Sequence, residues 1–143
     1  MNINDLREMC QKDTKINSMD IDGYSLSIPE LSNKYHQIAF DERKTLRFLE
    51  AQYNIIKREK WLYYTGKANN DVYDKTPFDL KVLAKDIDLF LSSDKMIIDI
   101  KEKIEEQRDK IKIIEDTAKI IQNASFNINN TIKWKKFLSG DLT

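Results

Sequence analysis

Between Ile97 and Ile132 apolar residues recur at alternating steps of three and four. The series is Ile97, Ile100, Ile104, Ile111, Ile114, Ala118, Ile121, Ile128 and Ile132, with Gln107 and Ser125 as polar interruptions in the same register. That spacing keeps one stripe of side chains on one face of an α-helix, and over about five heptads it describes a coiled-coil seam. The intervening positions are mostly Lys, Glu, Asp and Arg, so the opposite face is solvated. A chain with such a seam must lay it against a second long helix, in the same chain or in another copy. An intrachain hairpin satisfies it, and so does self-association. Isoleucine at both core positions shifts preference toward higher oligomers, and the seam is longer than one hairpin of this size needs. The pattern therefore predicts that Ile97, Ile100, Ile104, Ile111, Ile114, Ile121, Ile128 and Ile132 serve self-assembly.

A partner helix is present upstream. Ser27-Ile28-Pro29-Glu30 reads as a capping box with proline in the first turn, where its missing amide costs no hydrogen bond. No further glycine or proline occurs until Gly66, which suits a left-handed C-terminal cap. A continuous helix between these signals would hold roughly 38 residues and span about 57 Å at 1.5 Å per residue. Before it, Ile3, Leu6 and Met9 predict a short helix started by Asn2 or Asn4, fading in the polar stretch Asp13–Gly23. After it, Lys67–Thr76 reads as a polar connector, and Thr76-Pro77-Phe78-Asp79 repeats the start logic. Phe78 to Leu91 predicts one or two short helices. Ser93 is placed to cap the seam helix with Asp94 in its first turn. The asparagines of 127–130 predict a bend before a last element ending at Gly140.

The expected fold class is all-α, with long helices and a C-terminal coiled-coil-like oligomerisation segment. It divides into an N-terminal helical region (1–66), a connector with short helices (67–93) and a C-terminal helical oligomerisation region (94–143). No apolar run approaches the roughly 20 residues of a membrane span, and the start of the chain lacks an apolar signal stretch. A single cysteine, Cys10, cannot form an internal disulfide. The expected location is the cytoplasm, with no membrane partner.

Enzyme chemistry is not written into this chain. The one histidine, His36, has no cysteine or acid at metal-ligand spacing. Three glycines cannot make a phosphate loop. Ser25 and Ser27 have no accompanying base, and Glu105-Glu106 belongs to a charged helical face. No catalytic residue, metal or cofactor is expected. Net charge is zero, which conceals an asymmetry. Between residues 43 and 67 the cations Arg43, Lys44, Arg47, Lys57, Arg58, Lys60 and Lys67 face only Glu50 and Glu59, a net of +5. Residues 1–30 and 71–94 each carry a net of −3. A local patch, not the chain total, decides what a surface attracts.

Within the basic segment, Lys57, Arg58, Lys60 and Lys67 surround Trp61, Tyr63 and Tyr64. Single-strand binders combine cations that follow phosphates with aromatic faces on which bases stack, at about 1–3 kcal/mol per base. The same seven residues also fit a plainer description, with the tyrosines in a core and the lysines solvated. On the first description the chain binds single-stranded DNA; on the second it is a structural coiled-coil scaffold.

Leu49-Glu50-Ala51-Gln52 followed by a basic stretch and Tyr63-Tyr64-Thr65-Gly66 resembles the UvsY family of phage recombination mediators. The similarity continues through Val82-Leu83 and Ser92-Ser93-Asp94-Lys95, and through the spaced Phe126, Ile128, Trp134, Phe137 and Gly140. The resemblance implies a ring-like homo-oligomer, hexamer or heptamer, that binds single-stranded DNA in the infected host cell. It implies two protein partners, the phage single-strand-binding protein and a phage RecA-like recombinase that it helps load. It also implies DNA contacts in the basic stretch before the two tyrosines, here Arg58 and Lys60.

Overall fold

In the computed structural model, which describes residues 1–140, five α-helices and one 3₁₀ turn account for nearly all regular structure, and no strand occurs among those residues. The helices are α1 (Ile3–Thr14), α2 (Ile21–Tyr64), α3 (Asn70–Lys75), α4 (Ile87–Ser92) and α5 (Lys95–Leu138), with the 3₁₀ turn at Ala84–Asp86. The all-α class is as the periodicity predicts. The chain forms two compact units, one from Met1–Arg43 with the described residues from Asp109 onward, the other from Lys44–Arg108. The last three residues of the expected C-terminal region lie outside the described residues.

The first unit is built on α1, the start of α2 and the second part of α5. The Asn2 side chain accepts from the Asp5 amide at 2.8 Å and opens α1, satisfying an otherwise orphaned donor. Leu6 and Cys10 of α1, Tyr35 and Ala39 of α2, and Ile114 and Ile121 of α5 form one buried cluster. Met9, Ile28, Leu31, Ile38, Ile113 and Ala118 pack around it. Asp13 ties the helices together: its carboxylate accepts from Lys34 Nζ at 2.6 Å and from the buried Tyr35 hydroxyl at 2.9 Å. The Asp13 carbonyl accepts from the Tyr24 hydroxyl at 2.9 Å. Burial, followed by the bond to Asp13, raises the Tyr35 pKa far above its ordinary value, so the phenol stays a donor. Ion pairs Arg43–Glu115 (2.7 Å) and Lys110–Glu42 (3.4 Å) tie α2 to α5 within this unit.

Helix α2 begins six residues before the expected capping box. Pro29 lies inside the helix and Ser27 donates back to the Tyr24 carbonyl at 2.6 Å instead of capping. An interior proline costs about 3 kcal/mol. The early turns recover this through the Tyr24–Asp13 bond and the seating of Ile28 on the core. Tertiary contacts therefore override the local signal. The connector also departs from expectation. It contains α3, while Thr76-Pro77 starts no helix and 77–83 has no regular structure. Phe78 anchors that stretch in an aromatic cluster, leaving Leu80 and Leu83 exposed. Helix α5 is continuous through residues 127–130, so the predicted bend does not occur.

The seam residues pack inside the subunit. Ile97, Ile100, Ile104, Ile111, Ile114, Ile121 and Ile128 are buried, while Ile132 is 40% exposed. Seven of the eight isoleucines expected to serve self-assembly are therefore covered by their own chain, and Ile132 is the one left open. The heptad pattern could not separate the two cases, since an intrachain hairpin needs the same spacing. Beyond Ile114, Thr117 and Ala124 are buried beside Ile121 and Ile128, each one residue before the Ala118 and Ser125 of the strict series, which are half-buried and exposed. In this unit α5 meets α1 as well as α2, which widens the covered face. Ile114→Ala should lower the free energy of urea unfolding by about 2–5 kcal/mol. Ile120→Ala, at a half-exposed position, should change it by less than about 0.5 kcal/mol. Equal losses from the two variants would contradict this packing.

Candidate nucleic-acid interface

The basic and aromatic cluster lies wholly in the second unit, and its layout follows from how α2 ends. Gly66 sits at φ 76°, a conformation that costs other residues about 1–2 kcal/mol. The Lys67 amide then donates to the Leu62 carbonyl at 2.9 Å, and the Gly66 amide to that of Tyr63 at 3.3 Å. This paired arrangement satisfies two orphan carbonyls and reverses the chain. Lys67 is thereby brought back along α2, with its Nζ 4.7 Å from the Trp61 ring centroid. A cation at that distance is held by the ring quadrupole.

Helical spacing separates the seven residues singled out in the sequence into two groups. Lys57, Arg58, Trp61 and Lys67 are exposed. Trp61 keeps 38% of its surface open, and none of the three cations has an ion pair among the described residues. Lys60, Tyr63 and Tyr64 turn inward. Lys60 Nζ lies 3.3 Å from Asp94 Oδ2, and the Asp94 side chain is only 6% exposed. The Tyr64 hydroxyl donates to the same oxygen at 2.6 Å. Tyr63 donates to the Thr76 carbonyl at 3.0 Å, stacks on Tyr73 and tilts against Phe78. Tyr64 meets Phe78 and Phe90 at ring distances of 5.2 and 5.6 Å. Tyr73 closes the group by donating to the Tyr63 carbonyl at 2.8 Å. These rings serve as a small core for the second unit, where the spacing alone allowed either a core or a stacking surface.

Asp94 organises this group and was expected only as a first-turn acid. It is the N-terminal cap of α5: its Oδ1 accepts from the Met96 and Ile97 amides at 2.9 and 3.2 Å. Burial pushes the carboxyl up, but the Tyr64 hydroxyl, the Ile97 amide and the Lys60 ammonium outweigh it, so its pKa falls below the ordinary value. Tyr64 is raised, first by burial and then by its bond to Asp94. Beside these groups a cavity of about 380 Å³ opens, lined by Glu59, Lys60, Tyr63, Lys67, Asn69 and Met96 among others.

A second aromatic was not singled out in the sequence. Tyr53 lies one helical turn before Lys57, with Lys57 Nζ at 5.9 Å and Lys101 Nζ at 5.7 Å from its ring centroid. The i, i+4 step from Tyr53 to Lys57 was legible, whereas Lys101 enters from α5 and only folding brings it there. Among the described residues no group of His, Cys, Asp and Glu could hold a metal ion. No helix of these residues is long and apolar enough to cross a membrane.

A family model described as the recombination, repair and ssDNA binding protein UvsY matches residues 9–141. The chain belongs to the UvsY family. Its fold is similar to crystal structures of the bacteriophage T4 recombination mediator protein UvsY. In one lattice the TM-score is 0.84 over 97% of this chain and 98% of that one, at 19% identity. In another it is 0.82 over 93% and 98%, again at 19% identity. At that identity the likeness is one of fold. No curated protein sequence matches the chain.

Because the Asp94 pKa is depressed on folding, the stability it contributes is present above the unfolded value of about 3.9. It is lost as pH falls through the lower folded value. Asp94→Ala should cost about 2–4 kcal/mol at pH 7, combining a lost cap with a buried tyrosine hydroxyl left unpaired. The gap to the parent should narrow below about pH 4 as the parent carboxyl protonates. Urea unfolding at both pH values measures this; a gap that is constant with pH would contradict it.

Proposed function

We propose that this UvsY-family chain is a single-stranded-DNA-binding recombination mediator that helps load a RecA-like recombinase onto DNA covered by a single-strand-binding protein. The observation that carries the reading is the exposed set Lys57, Arg58, Trp61 and Lys67 on a chain of this family. Three unpaired cations follow phosphates and release counterions, and the open Trp61 face stacks a base. Lys60, Tyr63 and Tyr64 support this surface from beneath. The site catalyses no reaction in this reading; it holds a strand, and no nucleotide is consumed.

Affinity comes from repetition. Each subunit offers a shallow surface, and a ring-like homo-oligomer binds one strand at many such surfaces together. With the isoleucine seam occupied inside the subunit, assembly falls to apolar residues left open at the end of α5. Ile132, Trp134, Phe137 and Leu138 are all exposed there, with the Trp134 and Phe137 rings stacked at 5.6 Å. Burying such a patch in contact with another copy removes it from water at about 25 cal/mol per Å² of apolar area. Holding the strand on an assembly then competes with the single-strand-binding protein and presents DNA to the recombinase.

Two measurements test the reading. In fluorescence anisotropy with oligo-dT, Arg58→Ala should lower affinity and flatten the salt dependence. Trp61→Ala should weaken binding by about 1–3 kcal/mol per stacked base at every salt concentration. A parent protein with no salt-sensitive binding would leave the structural coiled-coil scaffold as the better account. For assembly, Trp134→Ala with Phe137→Ala should reduce the mass seen by sedimentation while helicity is retained. An unchanged mass would remove the end of α5 from the interface.

A further inference from the structure

Tyr53, Lys57 and Lys101 form a cluster in the second unit, and of these three the reading above uses only Lys57. Two ammonium groups, one from α2 and one from α5, converge on the ring of Tyr53 at 5.9 and 5.7 Å. Both lysines are exposed, and neither has an ion pair among the described residues. Elsewhere in this unit Lys60 is paired with Asp94 and Arg108 with Glu50. Tyr53, Lys57 and Lys101 also line a cavity of about 180 Å³ together with Asp88, Ser92 and Ile97. Asp88 is the one carboxylate in that lining, and it makes no ion pair with either lysine.

At an exposed site a ring attracts a cation by only about 0.5–1 kcal/mol, and the two cations drawn to the half-buried Tyr53 ring repel each other. A phosphate placed between them would turn that repulsion into attraction to a shared anion. The neighbouring ring then offers the face that a base of the same strand needs. A lysine stem lying along tyrosine can also be plain packing, but packing does not require two helices to each direct a free ammonium at one ring.

We infer that Tyr53, Lys57 and Lys101 form a second subsite for single-stranded DNA, with the two lysines holding a phosphodiester and the tyrosine supporting an adjacent base. The strand then touches α5 as well as α2, and Lys57, one turn before Trp61, links this subsite to the first. The inference rests on the single-strand-binding reading above, since it assigns further contacts to the same ligand.

Oligo-dT binding by the full-length protein, measured across a salt series, tests it. Lys101→Ala should weaken binding about three- to tenfold at low salt and reduce the log–log salt slope by about 0.7 for each phosphate it no longer neutralises. Lys101→Arg should retain both affinity and slope. Tyr53→Leu should weaken binding without altering the slope, and Tyr53→Phe should match the parent. A purely structural role for Lys101 would leave the slope untouched. If Arg58→Ala weakens binding but Lys101→Ala matches the parent, the second subsite is overturned alone. If the parent itself binds no strand, the single-strand reading fails and this subsite fails with it.

Discussion

One buried carboxylate holds the second unit together. Asp94 caps the first turn of α5, accepts the Tyr64 hydroxyl and neutralises Lys60. Through these bonds it fixes the end of α2 against the start of α5 and orients the ring cluster between them. Buried charge is stable only when paired and fully hydrogen-bonded, and both of its oxygens are in use. The consequence for the surface is a division of labour. One cation and two tyrosines turn inward to complete the packing, and that leaves Lys57, Arg58, Trp61 and Lys67 facing out.

A parallel economy governs the first unit. There Asp13 gathers Lys34 and Tyr35, and the isoleucines of α5 close over Leu6, Cys10, Tyr35 and Ala39. The hydrophobic force that could have assembled several chains is largely consumed inside each one. Among the apolar side chains still exposed in this unit are Trp134 and Phe137 near the end of α5. The packing inside the subunit and the proposed assembly interface therefore use different residues.

The sequence displays the helices because helical periodicity and glycine placement are local properties. Gly66 and Gly140 both take the left-handed conformation expected of helix ends, and of the two asparagines expected to start α1 it is Asn2 that caps it. The start of α2 was illegible because the contacts that outweigh Pro29, from Tyr24 and Ile28, depend on where α1 packs. The fate of the seam was illegible for a related reason: Ile114 has the same spacing whether its cover is α1 of its own chain or a neighbour. Within the basic cluster the residue types were plain, but their directions were not. Lys60 and Arg58 look equivalent as cations two positions apart. Only the position of Asp94, 34 residues beyond Lys60, distinguishes the inward one from the outward one. Lys101 illustrates the same limit, since its meeting with Tyr53 is made by folding alone.

The central claim is that the strand meets the outer residues of this cluster while the paired tyrosines stay within it. Photo-crosslinking with an iododeoxyuridine-substituted oligo-dT, followed by mapping of the adducts by mass spectrometry, tests that division directly. Adducts on Trp61 with none on Tyr63 or Tyr64 are the predicted result. Adducts concentrated on Tyr64, whose hydroxyl is bound to Asp94 and whose ring packs against Phe78 and Phe90, would contradict it.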